Sequence, residues 1–217
     1  KLIDPARATP AARIAPGSEL HSESKETTHY SIADRQGNVV SNTYTLNASF
    51  GSGIAVPGTG MLLNNEMGDF AARPGKPNMF GLVQGEGNRI EGGKRPLSSM
   101  SPTIVFRDGK PWLATGSPGG SRIITTVLQT LLNAMAFDMN VAAAGMNARI
   151  HHQWLPDEIL AEDGVSPDTV RLLQQMGHKV VLGGQTIGRT QSIRLRTAGC
   201  WGRPIPAGPR AGWRGTD

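Results

Sequence analysis

The sequence predicts an α+β fold, because strand patterns fill its first half and helix patterns follow them. Two pairs of short alternating runs, each pair joined by a turn sequence, predict two β-hairpins in the part of the chain before Gly120. After Gly120 the spacing of apolar residues changes from every second residue to the three- and four-residue steps of a helix. Because the hairpins come first and the helices afterwards, the order favours layered α+β packing over a repeat of β-α-β units.

The first predicted hairpin joins the runs THYSIAD and NVVSNTYTL through the turn DRQGN, and the second joins PTIVF and PWLATG through RDGK. Between the hairpins, residues 50–88 form a long glycine-rich stretch. A connection of this length in a compact domain is usually functional or disordered, so one of the two is expected here. Residues 1–26 contain Pro5, Pro10 and Pro16 and no sustained periodicity, and they are expected to be an exposed loop or linker.

Two helices are predicted after Gly120. The first contains an apolar set at helical spacing, namely Ile123, Ile124, Val127, Leu128, Leu131, Leu132 and Met135. The second lies in SPDTVRLLQQMGH, where Ser166 is a typical N-cap, Pro167 suits the first turn and Gly177 suits the end. Strands are predicted in KVVLG and in TQSI, and no regular structure is expected from Arg194 onward.

Composition and charge exclude several functional classes. The formal net charge is +5, but five arginines and one acidic residue between Arg194 and Asp217 account for +4 of it. The rest of the chain is nearly neutral and lacks a stripe of Lys and Arg interleaved with aromatic residues, so no nucleic-acid binding is expected. No apolar run approaches the roughly 20 residues that span a bilayer. The single cysteine, Cys200, excludes an internal disulfide framework.

The segment SKETTHYS, residues 24–31, places two threonines between a charged segment and the first predicted strand. One interpretation is structural, since threonine is a good strand former. The other is chemical: cleavage of the chain before Thr27 exposes an N-terminal threonine that is a nucleophile and carries its own base, the α-amine. The residues themselves leave both interpretations open.

Further residues that could carry chemistry cluster near the ends of predicted elements. They are Thr45 and Asn47, Glu66 and Asp69, Ser98 and Ser99, and Gly119 and Gly120. The N–H groups of two glycines at a helix start favour an anion, and two carboxylates suit an ammonium group. Each set also has an ordinary structural alternative, namely a turn, close packing or solvated loop charges.

Two further patterns resemble functional motifs but do not predict a metal site or a dinucleotide-binding site. His151 and His152 are adjacent, so their side chains point apart, and no cluster with metal-ligand spacing accompanies them. A structural role is therefore expected for both, and no metal site. The sequences GEG and GTG do not complete a dinucleotide-binding fingerprint between a strand and a helix.

Six stretches of the sequence carry a resemblance to a known family: TTHYS, TYTLNASFGSGI, LLNNEMGDF, GKRPLSSMSPTIV, GSPGGSRIITTVLQ and HHQWLPDE. In order from Lys1 to about Ile193, the chain resembles the small subunit of the gamma-glutamyltranspeptidase family. The resemblance implies an N-terminal nucleophile hydrolase fold, a four-layer αββα sandwich with two stacked sheets between helical layers. It also implies that the precursor cleaves its own Glu26–Thr27 bond.

The resemblance divides the chain into three parts. Residues 1–26 would be the C-terminal end of a large subunit and a linker before the cleavage site, and residues 27–193 would be the small-subunit catalytic domain. Residues 194–217 would be an atypical basic tail, because the glycine-rich closing segment of the family, with its DPR motif, is missing there.

The resemblance also implies a role for each candidate residue. Thr27 would be the nucleophile, Thr45 would orient it, and the backbone N–H groups of Gly119 and Gly120 would hold the oxyanion. The substrate would be bound by Asn47, Glu66 and Asp69 at its α-amino group and by Ser98 and Ser99 at its α-carboxylate. Phe80 lies in the lid stretch PGKPNMFG where some bacterial members have tyrosine, so weaker lid closure is expected.

The activity that the resemblance implies is γ-glutamyl transfer or hydrolysis of glutathione-type donors, with amino acids or peptides as acceptors and with no cofactor. The large subunit of the same precursor would be the partner, and the location would be periplasmic. One alternative is a cephalosporin (glutaryl) acylase of the same family, although Asp69 favours a substrate with an α-amine, which glutaryl groups lack. Another is an uncleaved, inactive precursor, suggested by the altered C-terminus.

Overall fold

The computed structural model describes residues 4–10, 13, 27–78, 81–184 and 186–195. The α-helices in these ranges are α1 (Arg122–Met135), α2 (Val141–Met146) and α3 (Pro167–Gln175). The strands are β1 (Thr28–Ala33), β2 (Val39–Tyr44), β3 (Thr103–Arg107), β4 (Lys110–Thr115), β5 (Ile150–His151), β6 (Ile159–Ala161), β7 (Val180–Leu182) and β8 (Ile193–Arg194). The protein is therefore a mixed α and β structure, as the sequence predicts.

The strands form three small sheets, and both predicted hairpins are confirmed. Strands β1 and β2 are antiparallel, with Thr28 opposite Tyr44 at the open end of the hairpin. The second hairpin, β3–β4, gains β8 at the other edge of β4, also antiparallel. In the third sheet β5 pairs antiparallel with β6, and β6 pairs parallel with β7.

The β1–β2 hairpin packs on the β3–β4–β8 sheet through a polar face. Ser41 donates its hydroxyl to the carbonyl of Thr115 at 3.0 Å and accepts from the N–H of Thr103 at 3.1 Å. Ser31 donates to the carbonyl of Gln191 at 2.9 Å. Side chains alternate along a strand, so the opposite face carries the apolar residues, and these are exposed. That outer face consists of Tyr30, Ile32, Val40 and Tyr44.

Helix α1 has apolar residues on two faces. Its inner face buries Ile123, Val127 and Ala134, and the core cluster next to it joins Ala134 to Trp112 and Leu113 on β4 and to Ala144 on α2. Burial of these side chains removes apolar surface from water, which is the main favourable term in folding. The outer face remains exposed along the length of the helix. It consists of Ile124, Leu128, Leu132 and Met135.

The second predicted helix is confirmed as α3, including its N-cap. The hydroxyl of Ser166 accepts from the N–H of Asp168 at 3.3 Å, and Pro167 occupies the first turn. Gly177 follows the helix with a φ of +98°, a conformation that favours glycine. Strand β7 lies within the predicted KVVLG.

Other predictions about the second half are corrected by the structure. The strand predicted in TQSI is wrong for most of its length, since β8 is Ile193–Arg194 and Arg194 had no predicted structure. The elements β6, α3 and β7 form one parallel β-α-β unit, which the expected order of hairpins and helices did not include. The elements α2, β5 and β6 are six residues or shorter and were not predicted.

The first described segment, residues 4–10, lies beside the end of α3, where the N–H of Ala8 donates to the carbonyl of Met176 at 2.8 Å. Within the described ranges, no helix combines the length and the apolar character that crossing a bilayer requires.

Candidate active site

The β1–β2 hairpin brings two threonine hydroxyls together at its open end. Thr27 immediately precedes β1 and Thr45 immediately follows β2, so the register that pairs Thr28 with Tyr44 places them opposite each other. The hydroxyl of Thr27 donates to that of Thr45 at 3.3 Å. The hydroxyl of Thr45 also accepts the backbone N–H of Asn47 at 2.8 Å, which holds its oxygen in place. A candidate nucleophile thus has an oriented hydroxyl beside it.

Asn47 is the residue that turns the chain after Thr45. It has a φ of +75°, which asparagine tolerates better than most residues, and it is 3% exposed. Its side-chain amide donates to the carbonyl of Asn65 at 3.2 Å. Asn65 in turn donates its N–H to the carbonyl of Leu46 at 3.1 Å and accepts the N–H of Ala48 at 2.9 Å through its side chain. This clamp ties the end of β2 to the segment that carries Glu66 and Asp69.

The two predicted acidic residues lie on one short 3-10 helix, Glu66–Asp69. Burial, with a smaller contribution from the nearby negative charge of Glu66, raises the pKa of Asp69 to about 6. An ammonium group placed beside them would relieve both effects. The pair is therefore suited to bind a cation, which is the role implied for it by the resemblance.

Gly119 and Gly120 form the approach to helix α1, as predicted. Their φ angles are +135° and +58°, and their carbonyls accept the N–H groups of Arg122 and Ile123 at 3.1 and 3.2 Å. Among the described residues, neither glycine donates its own N–H to an acceptor. Amide groups at such a helix start suit a negatively charged oxygen. The glycine conformations explain why the chain has no side chain at these two positions.

The histidine next to the threonine pair was not predicted as a site residue. His29 lies two residues after Thr27, and its Nδ1 is 2.6 Å from the hydroxyl of Thr43, its cross-strand neighbour. A Cβ added at Gly116 would lie 2.2 Å from the ring, so the ring covers that glycine. Burial lowers the pKa of His29 to about 4, and the ring is neutral at pH 7. The two-residue spacing from Thr27 was the only sequence signal for it.

Some predicted residues are not joined to the threonine pair by the described contacts. Ser98 is exposed and accepts the N–H of Met100 at 3.1 Å, while the carbonyl of Ser99 accepts from Ser101 at 3.1 Å. Both serines therefore lie in a turn before β3. The cleavage residue Glu26 and the lid residue Phe80 lie outside the described residues.

The adjacent histidines make contacts that fit a structural role. The buried ring of His151 is 2.7 Å from the hydroxyl of Thr125 and 3.0 Å from the side chain of Gln153. His152 lies 3.4 Å from a carboxylate oxygen of Asp157. In the part of the chain that the structure describes, no group of three or more His, Cys, Asp or Glu side chains could hold a metal ion.

Comparison with known proteins finds relatives along most of the chain. The family model for gamma-glutamyltranspeptidase matches residues 1–209. The glutathione hydrolase proenzyme of Escherichia coli K12 is 56% identical over 193 residues, covering 89% of this chain and 33% of that protein. A crystal structure of a mutant gamma-glutamyltranspeptidase from Helicobacter pylori superposes with a TM-score of 0.78 at 50% identity, covering 82% of this chain and 98% of that one. A more distant structure, cephalosporin acylase from Bacillus halodurans, has a TM-score of 0.65 at 26% identity, with coverage of 82% and 30%.

The first two of these proteins are a glutathione hydrolase and a gamma-glutamyltranspeptidase, and the superposed structure of the latter shares the mixed α and β architecture described above. The chain belongs to the gamma-glutamyltranspeptidase family. It spans about a third of the length of the curated proenzyme that it matches, at 33%.

Proposed function

We propose that this chain carries the catalytic threonine of an enzyme that hydrolyses or transfers γ-glutamyl groups. The observation that carries the proposal is the contact at the start of β1, where the hydroxyl of Thr27 lies 3.3 Å from that of Thr45. Thr45 is itself held by the N–H of Asn47. A nucleophilic hydroxyl needs a neighbour that fixes its direction, and this pair supplies one.

Thr27 first acts on its own chain. Its hydroxyl attacks the carbonyl of Glu26 and displaces the amide nitrogen of Thr27, giving an ester that water hydrolyses. The α-amine released by this cleavage has an ordinary pKa near 8, so an appreciable fraction is an unprotonated base at neutral pH. The amine then assists the same hydroxyl in attacking the γ-glutamyl amide of a donor. Water or the amino group of an amino acid or peptide releases the acyl group.

The remaining site residues stabilise charge. The N–H groups of Gly119 and Gly120 hold the oxyanion of the tetrahedral intermediate, where one such donor is typically worth about 3 kcal/mol. Glu66 and Asp69 bind the α-ammonium of the substrate, together with Asn47.

Ser98 and Ser99 bind the α-carboxylate of the substrate. A site with these groups discriminates against amides that lack an amino-acid end, because its own polar atoms would be left unpaired.

The partner is the large subunit of the same precursor. Two apolar faces support this: the outer face of the β1–β2 hairpin and the outer face of α1 are exposed in the chain by itself. Contact between the β1–β2 hairpin and the β3–β4–β8 sheet supports two stacked sheets, and helical layers on both sides would complete the four-layer αββα sandwich.

The substrate class is γ-glutamyl compounds of the glutathione type, in the periplasm or outside the cell. The alternative acylase activity on glutaryl amides requires no α-amine, and a partly buried carboxylate such as Asp69 would then lack a cationic partner. A difference in rate between a γ-glutamyl amide and the matching glutaryl amide separates the two activities.

The intact mass of the purified full-length precursor tests the proposal. Wild type should give two polypeptides, the smaller beginning at Thr27, and should hydrolyse a γ-glutamyl amide. Thr27→Ala should remain one chain. Thr28→Ala is the matched control, because Thr28 is exposed and pairs with β2 through its backbone, so this variant should still cleave. An uncut, inactive wild-type chain would overturn the proposal and favour the inactive-precursor alternative.

A further inference from the structure

A segment near the described C-terminal end crosses the loop that carries Gly119 and Gly120. Residues 187–191, called the strap here, contact this loop through two hydrogen bonds donated by their backbone N–H groups. The N–H of Arg189 donates to the hydroxyl of Ser117 at 2.8 Å, and the N–H of Gln191 donates to the carbonyl of Gly116 at 3.0 Å. The strap therefore holds the loop immediately before its two glycines.

Ser117 is the side chain through which the strap acts. It is fully buried, and its hydroxyl donates to the carbonyl of Pro118 at 2.6 Å while accepting from Arg189. One hydroxyl thus links the strap to the peptide unit between Pro118 and Gly119. The orientation of that peptide unit sets the direction of the Gly119 N–H, because the carbonyl of Pro118 and the N–H of Gly119 belong to the same plane.

The fit between the strap and the loop leaves no room for a side chain. Gly188 has a φ of +75°, and a Cβ added there would lie 2.8 Å from the Ser117 oxygen and 2.4 Å from the Thr126 hydroxyl. A Cβ at Gly119 would lie 3.6 Å from the Cα of Gly188. The strap is therefore in direct contact with the loop at Gly188, in addition to the hydrogen bond from Arg189 to Ser117.

The start of the strap is anchored by a carboxylate. Glu162 accepts the N–H of Ile187 at 2.6 Å through Oε1 and the N–H of Arg149 at 2.8 Å through Oε2. The guanidinium of Arg149 lies 3.7 Å from the same carboxylate. The carbonyl of Ile187 accepts from Thr126 on α1 at 3.2 Å. The strap is thus fixed both to the third sheet and to the helix that follows the glycines.

We propose that Ser117 is a positioning residue for the reaction: its hydroxyl transmits the position of the strap, which Glu162 anchors, to the N–H groups that hold the oxyanion. This proposal rests on the proposed function, since it concerns the same oxyanion-binding groups. Ser117 is fully buried and is assigned no contact with the substrate. It acts by fixing the peptide unit before Gly119, so its loss affects the transition state more than the binding of the donor.

The expected effect is a change in kcat at nearly constant KM. Removal of a whole oxyanion donor costs about 100- to 1,000-fold in kcat. Loss of the Ser117 hydroxyl leaves both donors in place but free to turn, so a decrease of roughly 10- to 100-fold in kcat is expected, with KM changed less than about threefold.

The experiment compares Ser117→Ala with Ser192→Ala in the full-length precursor. Ser192 follows the strap, is also buried and has a hydroxyl 2.7 Å from that of Thr115, but it makes no described side-chain contact with the loop from Gly116 to Gly120. Both variants lose one buried hydroxyl. Activity on a γ-glutamyl amide is measured per mole of cleaved small subunit, and Tm is measured for each protein.

The proposal is supported if the two variants lose similar amounts of Tm but only Ser117→Ala shows a large decrease in kcat. A folded Ser117→Ala precursor that fails to cleave while Ser192→Ala cleaves also supports the proposal. The reason is that cleavage of the precursor also passes through a tetrahedral intermediate formed by the Thr27 hydroxyl. Parallel changes of kcat and Tm in the two variants, or full activity of Ser117→Ala, overturn it. If wild type itself is inactive on γ-glutamyl donors, the proposed function fails instead.

If Ser117→Ala does not fold, a second pair of variants, at Glu162, tests the proposal. Glu162→Gln keeps a carbonyl oxygen that can accept the N–H of Ile187, whereas Glu162→Ala has no acceptor. The proposal expects a lower kcat for Glu162→Ala and recovery of most of it in Glu162→Gln. Equal kcat values in these two variants contradict an action through the strap.

Discussion

The acidic pair gives the pH dependence of ligand binding. Burial and, to a lesser extent, the charge of Glu66 raise the pKa of Asp69 to about 6. In its proposed role the carboxylate binds an α-ammonium only when it is ionised, so binding is expected to be strong above pH 6 and to be lost as the pH falls through 6. For a pKa of about 6, roughly nine-tenths of Asp69 is ionised at pH 7 and roughly one-tenth at pH 5. The dissociation constant of a ligand that uses this charge should therefore rise about tenfold.

Calorimetric titration of the mature enzyme with L-glutamate, the expected hydrolysis product, measures this change. Glutarate is the matched ligand without an α-amine, and its affinity should vary much less between pH 7 and pH 5. Titration of binding avoids interference from the α-amine of Thr27, whose protonation also affects rates in this range.

The variant Asp69→Asn completes the test, since it should bind L-glutamate weakly at both pH values. An L-glutamate affinity that is the same at pH 7 and pH 5 in the folded wild-type enzyme would refute the assigned role. A pH step that persists unchanged in Asp69→Asn would refute it equally, because another group would then be titrating.

Three further predictions concern the hairpin, the loop and α3. Thr45→Val should lower kcat about 10- to 100-fold through loss of the contact with the nucleophile, and Thr45→Ser should retain most of the activity in a steady-state assay. Gly116→Ala should destabilise the fold by about 1–3 kcal/mol, because the added methyl group overlaps the His29 ring, and the double variant with His29→Ala should be non-additive in urea unfolding. Ser166→Ala should cost about 1 kcal/mol by loss of the N-cap of α3, measured in the same way with activity as the unaffected control.

The parts of the fold that could be predicted are those whose signals are local. Both hairpins have alternating strands next to a turn, and α3 has its N-cap, its first-turn proline and its terminal glycine within a dozen residues. Strand β8 is two residues long and is defined by its pairing with β4, so nothing in its own sequence indicates it. The same holds for β5 and for the parallel pairing of β6 with β7.

The candidate site was predicted by resemblance more than by periodicity. The strand ends place Thr27 and Thr45 on opposite sides of a hairpin, but the contact between them depends on the register, which alternation alone does not fix. His29 and Asn65 were missed because each acts through a neighbour: one covers Gly116 and the other clamps Asn47. Residues that act through tertiary contacts form no regular pattern in the sequence by which they could be identified.

The apolar outer face of α1 shows a related limit. Helical spacing identifies Ile124 and Leu128 as apolar-face residues alongside Ile123 and Val127, yet only the latter two are buried in the chain by itself. A helix with apolar residues on both sides is expected where it is covered on both sides. The periodicity therefore fits a helix covered on both sides, as the proposed assembly with a large subunit would provide.

In the proposed mechanism Thr27 carries the acyl group during turnover. The most direct test is to quench the mature enzyme during hydrolysis of a γ-glutamyl amide and to map the peptides of the small subunit by mass spectrometry. One added γ-glutamyl group is expected on the N-terminal peptide, attached at the Thr27 hydroxyl and lost on prolonged incubation. An active enzyme in which the label lies on another residue, or in which no acyl group forms during rapid turnover, would contradict the account.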